Sequence, residues 1–180
     1  RTLHATLDWS FGLLSDLERM VLRRLAAFVG HFTLDAVISV CGRDVSERDI
    51  FGAIDSLIAK SMVATRPVGT VMSYRLLDTT RAYARDIQIA EDEAHDLAVR
   101  HATYYRNWLE QRGGDWSIFA SGAERTLHFA SMNNVRAALE WCFGERGDIR
   151  LGIQLAAAAV DVFLAMSLLA ECHRWSQRAL

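Results

Sequence analysis

Six histidines, His4, His31, His95, His101, His128 and His173, are the first residues to weigh for chemistry. No two stand four apart, so no helix face offers the paired imidazoles that a zinc site uses. Cys41, Cys142 and Cys172 are odd in number, far apart and without CxxC spacing. They form no disulfide framework and suit a reducing cytosol, so the expected location is cytoplasmic. Cys41 falls at an apolar helical position and reads as a small core residue. His101 falls on an apolar stripe and reads as a hydrogen-bonded structural histidine. Asp78 with Asp86, and Asp92 with Asp96, could place carboxylates on common faces; such pairs are far more often solvated than catalytic. GxxxxGK[ST], GxGxxG, GxSxG and HExxH do not occur, so no phosphate-cradling loop or hydrolytic motif is written in the chain. No catalytic residue, metal ligand or cofactor contact is expected within these 180 residues.

Basic side chains are the remaining candidates. Arg19, Arg23 and Arg24 lie on one predicted helix, on its outer side. A solvated face is the plain reading of such a run; docking on another protein surface is the functional one. Arg66 and Arg75 lie on a predicted β-hairpin. The whole chain carries a net charge of -2 and a pI near 6.3, which gives no polyanion-binding signal.

These residues are positioned by a short series of elements. Leu3, Leu7, Phe11 and Leu14 follow one helical stripe. Ser15-Asp16-Leu17-Glu18 is a capping box that starts a helix with Leu17, Val21, Leu22, Leu25 and Phe28 inward; Gly30 is the expected terminator. Thr33 caps a short second helix with Leu34, Val37, Ile38 and Cys41, stopped by Gly42. Ser46 opens a third, with Ile50, Phe51, Ile54, Leu57 and Ile58 buried. Ser61 to Arg66 is extended, Pro67 to Thr70 turns, and Val71 to Leu77 returns. Met72, Tyr74 and Leu76 are expected on one face of the return strand. Asp78 or Thr79 then caps a helix running to about Ala90. Three helices followed by a two-stranded wing is the winged-helix arrangement.

In a DNA-reading winged helix the third helix enters the major groove. Here its charges are Glu47, Arg48, Asp49, Asp55 and Lys60, a net of -1, which repels phosphate. The wing adds only Arg66 and Arg75. The shape suggests DNA and the charge argues against it.

Beyond the wing the chain reads as helical. Glu91 to about Gln111 carries Ala94, Leu97, His101, Tyr105, Trp108 and Leu109 on one side. Gly113-Gly114 breaks it, and Asp115 to Gly122 is a loop with Trp116, Ile118 and Phe119 tucked back. A segment Glu124 to Phe129 follows; Ser131 with Asn134 caps the next, with Val135, Ala138, Leu139 and Cys142. Two more helices span Ile149 to about Met166 and Leu168 to Leu180. Ala156 to Ala159 permit close approach, as at the start of a tetratricopeptide-like α-solenoid. The expected division is a winged-helix domain over 1–90 and a helical region over 91–180. The chain starts on Arg1 and stops within helical periodicity, and is expected to be a piece of a longer protein.

Three stretches together carry a resemblance: Leu7 to Val37, Leu57 to Val63 with Ser73 to Ala84, and NNVRAALEW from Asn133 to Trp141, with His101-Ala102 and Tyr104 between them. They resemble the bacterial signal-transduction ATPases with numerous domains, in which an NB-ARC-like ATPase precedes a winged helix and tetratricopeptide-like repeats. The resemblance implies a mainly α regulatory module that docks on the nucleotide-binding domain of the same protein and relays signals from the repeats. ATP or ADP with Mg would belong to that other domain, and DNA binding to a separate one. Relatives carry a Met-His-Asp motif where this chain has Leu76-Leu77-Asp78, and a leucine cannot donate to a phosphate. Asp78 is therefore expected to serve as a helix cap. Arg19, Arg23, Arg24, Arg75 and Asp78 are the candidate docking residues. The alternative is a sequence-specific DNA-binding winged helix using Arg66 and Arg75.

Overall fold

Three hydroxyl side chains start three successive helices, each by accepting a hydrogen bond from a backbone amide of the first turn. The computed structural model describes residues 8–87, 89–112 and 122–180. Ser15 Oγ accepts from the Glu18 amide and Glu18 Oε2 from the Ser15 amide at 2.7 Å, the complete capping box of α1 (Asp16–Leu25). Thr33 Oγ1 accepts from Ala36 at the start of α2 (Leu34–Cys41). Ser46 Oγ accepts from Asp49 at the start of α3 (Glu47–Ala59). Val21, Leu22 and Leu25 of α1, Val37 and Val40 of α2, and Ile50, Ile54 and Leu57 of α3 are buried together. Each such side chain contributes about 1.5–3 kcal/mol of burial.

The wing is a three-stranded antiparallel sheet in the order β1-β3-β2, with β1 His31–Phe32, β2 Val63–Val68 and β3 Val71–Leu76. Phe32 stacks on Phe28 at 4.6 Å between ring centroids, which ties β1 to the core. Pro67 is paired with Met72 inside β2 and does not begin the turn. It is tolerated because β2 is an edge strand. The turn is the two residues Gly69 and Thr70, and Gly69 takes a φ of 61°, which favours glycine.

Further expectations are corrected. α1 ends at Leu25, and Gly30, at φ 85°, bends the chain into β1 instead of ending the helix. Residues 8–12 are helical, and Leu14 is buried just past them. Leu3 and Leu7 lie outside the described residues. Phe51 is 44% exposed, not core. α4 (Asp78–Asp86) is capped by neither Asp78 nor Thr79: Leu77 is its N-cap and makes no side-chain bond, while Asp78 is the first helical residue. It stops at Asp86, four residues short of the expected end.

The chain divides into two compact units between Leu97 and Ala98. α5 (Glu91–Arg112) begins in the first, its acidic first turn matching the helix dipole. Leu97, His101, Tyr105 and Leu109 are buried as expected, whereas Ala94 is exposed. In the second unit α6 (Gly122–Cys142), α7 (Ile149–Ala165) and α8 (Leu169–Ala179) pack in sequence order. α6 is one continuous helix, not two. Ser131 and Asn134 cap nothing; they are buried inside it, and Asn134 Oδ1 stands 3.4 Å from His101 Nε2. A tertiary partner has taken the polar group that would otherwise bond the local backbone. Gly152 meets Cys142 and Phe143 so closely that an added Cβ would stand 2.9 Å from Cys142 Cβ. Arg136 grips Glu171 through two bonds of 2.6 and 2.9 Å, joining α6 to α8. The expected loop from Asp115 and its Trp116, Ile118 and Phe119 lie outside the described residues. Gly122 already belongs to α6.

Candidate interaction surfaces of the N-terminal unit

The exposed side of α3 carries Glu47, Arg48, Phe51, Gly52 and Asp55. The helix presents this side because Ile50, Ala53, Ile54 and Leu57 are held in the core. Lys60, just past its end, is committed: its Nζ donates to both Glu18 oxygens at 2.8 Å. Burial alone would raise the Glu18 carboxyl. Hydrogen bonds from Lys60, Ser56 and the Ser15 amide outweigh it and hold the group at about 2, against an ordinary 4.5. Asp49 accepts from Ser46 Oγ at 2.7 Å. Arg48 is thus the one cation on this face without an ion pair among the described residues, beside an exposed aromatic ring and acidic neighbours.

The candidate residues do not converge. Arg24 is not on an outer side: it is 5% exposed. Its Nη1 donates to the Cys41 carbonyl at 2.7 Å and its Nε to Glu93 at 3.0 Å. It pins the start of α5 onto α1 and the end of α2, which removes exposure as the reason for placing it at a docking surface. Arg43 adds a second clasp, to Asp96 at 2.8 Å. Arg19 donates to the Phe11 and Gly12 carbonyls at 3.2 and 2.9 Å, closing the turn before α1. Arg23 is half-buried and Asp78 exposed. Tyr83 of α4 donates to Asp8 at 2.8 Å, which seats residues 8–12 on the unit. Arg66 is exposed and Arg75 half-buried, and the sheet register brings these two together.

Sequence reasoning missed His31 as part of the wing. Its strand is two residues long, too short for any alternation to show. His31 pairs across with Arg75, and its Nδ1 lies 3.0 Å from Ser73 Oγ. Burial first, then the charges of Arg75 and Arg66, hold its imidazole below the ordinary histidine range.

Cys41 is fully buried, and burial pushes the Cys142 thiol up to about 12, the opposite of an activated nucleophile. His101 is the buried, hydrogen-bonded histidine that its stripe indicated. Among the described residues no cluster of three or more His, Cys, Asp or Glu side chains has the arrangement to hold a metal ion. No described helix is long and apolar enough to cross a membrane.

Residues 14–88 match the family model described as a winged helix-turn-helix domain. The chain is homologous, 32% identical over 180 residues, to a protein of Mycobacterium tuberculosis named "Putative HTH-type transcriptional regulator". A protein of the same name from Mycobacterium bovis matches equally well. The alignment covers 97% of this chain and 20% of either relative, so the chain spans about a fifth of their length. An "Uncharacterized protein" of Mycobacterium tuberculosis is 35% identical over 113 residues, covering 62% of this chain and 28% of its own. No solved structure gives a significant match.

Proposed function

We propose that this winged helix-turn-helix domain, with the helices that follow it, is a regulatory module of a transcriptional regulator, and that its third helix docks on protein. The exposed face of α3 carries the reading. It offers Phe51 at 44% exposure, Arg48 and the carboxylates of Glu47 and Asp55, with Lys60 withdrawn to Glu18. A helix that enters a major groove needs several uncompensated cations, because each neutralised phosphate adds to affinity through counterion release. An aromatic anchor flanked by mixed charges is instead the make-up of a protein interface. The names of the relatives support a regulatory role, and the resemblance to ATPase regulators supplies a partner: the nucleotide-binding domain of the same protein, which would hold ATP or ADP with Mg. The helical unit is then the start of a tetratricopeptide-like array that passes signals to the winged helix.

The test is fluorescence anisotropy of the 180-residue chain, first with mixed duplexes and then with the nucleotide-binding domain of the full-length regulator. Duplexes should bind no tighter than the non-specific range, about 10⁻⁴–10⁻⁶ M at physiological salt. Phe51→Asp should abolish capture of the domain while the chain still folds, with no more than a modest fall in melting temperature. Sequence-selective capture of one duplex, lost in Arg48→Ala, would overturn this reading. The second reading, a DNA-binding winged helix, is favoured by the match to a winged helix-turn-helix domain, by the HTH-type names of the relatives and by the pairing of Arg66 with Arg75 on the wing. Under it, Arg66→Ala and Arg75→Ala would each reduce duplex binding and flatten its dependence on salt.

A further inference from the structure

The sheet sorts its side chains by register. Residues directly opposite one another in an antiparallel pair share a face. His31 stands opposite Arg75, Arg75 opposite Ala64, and Ser73 opposite Arg66. Side chains two apart on a strand also share a face, so His31, Arg66, Ser73 and Arg75 lie on one side. Phe32, Val63 and Leu76 lie on the other, and each is at most 3% exposed. One face of the wing thus carries Phe32, Val63 and Leu76 into the core, and the other carries the three basic groups, with Arg66 exposed, His31 and Arg75 half-buried, and Ser73 and Val68 buried among them.

Arg66 and Arg75 are diagonal neighbours, with side-chain roots about 7 Å apart. Neither enters an ion pair among the described residues. Two guanidinium groups and an imidazole side by side repel one another. Folding keeps them together without a carboxylate in return. Ser73, 1% exposed, fixes the His31 ring against them through its 3.0 Å contact.

We propose that this face is a phosphate-binding site in which Arg66 and Arg75 clamp the oxyanion and His31, positioned by Ser73, gains a proton as the anion arrives. A guanidinium fork matches two phosphate oxygens, and a tetrahedral phosphate offers further oxygens to a second fork and an imidazolium. A carboxylate, with two oxygens, is used up by one fork. Burial and the two arginine charges disfavour the imidazolium in the free protein. A bound anion cancels those charges, so the folded histidine gains basicity in the complex. The sign follows: the complex gains from protonation below the bound pKa of His31, and affinity is flat with pH above it. Among the described residues, Arg75 from β3 and Arg66 from β2 are charged groups that act on the ring.

The phosphate could be free or part of a nucleic-acid backbone. Only the backbone source rests on the DNA-binding reading given above. Inorganic pyrophosphate and a short duplex, titrated separately into the 180-residue chain, separate the two. The readouts are the His31 imidazole resonances and binding isotherms between about pH 6 and pH 8. One ligand or both should raise the His31 pKa by about one unit, which is a gain of a few-fold in affinity at about pH 6 and approaches tenfold only below the free-state pKa. Arg66→Ala, at an exposed position that leaves folding intact, should lose at least tenfold in affinity. His31→Gln should bind as the parent does at pH 8 and lose the pH dependence. A response to pyrophosphate alone sustains the site and removes the backbone as its source. A response to duplex sustains both. His31 resonances that move with neither ligand, pH dependence that survives His31→Gln, or equal competition by polyglutamate would each overturn the proposal.

Discussion

Replacing Arg24 by alanine separates a structural role from a docking role. The side chain is buried and reaches three acceptors on two other parts of the unit. Its bond to the Cys41 carbonyl is short and fully enclosed, at 2.7 Å. Removing a donor to a buried group costs about 1–3 kcal/mol. The Glu93 carboxylate at 3.0 Å is one-third exposed at 33%, so that pair is screened and adds about 1 kcal/mol at most. Asp44, 3.9 Å away and 72% exposed, adds nothing measurable. The aliphatic stem, packed between α1 and α2, contributes roughly another 1 kcal/mol. The expected loss is about 3 kcal/mol, which for a unit of this size lowers the melting temperature by roughly 10–20 °C. Thermal denaturation followed by circular dichroism measures it, with Arg23→Ala, at a half-buried neighbour, as the control expected to shift little. A melting curve within a degree or two of the parent, coupled with lost partner binding, would refute the structural account and return Arg24 to the docking surface.

Three further outcomes follow from the same kind of reasoning. Glu18 is held at about 2 against 4.5, so its contribution is whole above pH 4.5 and is lost as pH falls toward 2; the parent should lose about 2 kcal/mol over that window that Glu18→Gln does not lose, in acid titrations of stability. Asp78→Ala should change stability by less than about 0.5 kcal/mol, because Leu77 is the N-cap, whereas Ser46→Ala should cost about 1 kcal/mol in urea denaturation. Gly147→Ala should destabilise the helical unit by about 3 kcal/mol or more, since the added Cβ would collide with the Trp141 and Cys142 carbonyl oxygens; limited proteolysis would report it.

Signals confined to a few neighbouring residues were legible in the sequence. Ser15 with Glu18, Thr33 and Ser46 are bonded as their spacing indicated, because a cap is made within one helical turn. The inward stripes of α1, α2 and α3, the hairpin and the winged-helix order follow from periodicity in the same way. So does the net negative charge of the third helix, which is a count of residues. What required the folded chain was every decision made between distant segments. Gly30 looked like a helix end, but its φ of 85° serves β1, whose partner β3 lies about forty residues on. Ser131 and Asn134 looked like caps, and a histidine thirty residues earlier claimed the asparagine. Arg24 looked solvated because its helix neighbours Arg19 and Arg23 are charged, yet Glu93 and the Cys41 carbonyl draw it inward. His31 meets Arg66 and Arg75 only through strand register. Local geometry depends on residues within a turn or a hairpin, and the sequence states those directly. A side chain's burial, partner and charge environment depend on which remote segment packs beside it, and that is settled only when the core closes.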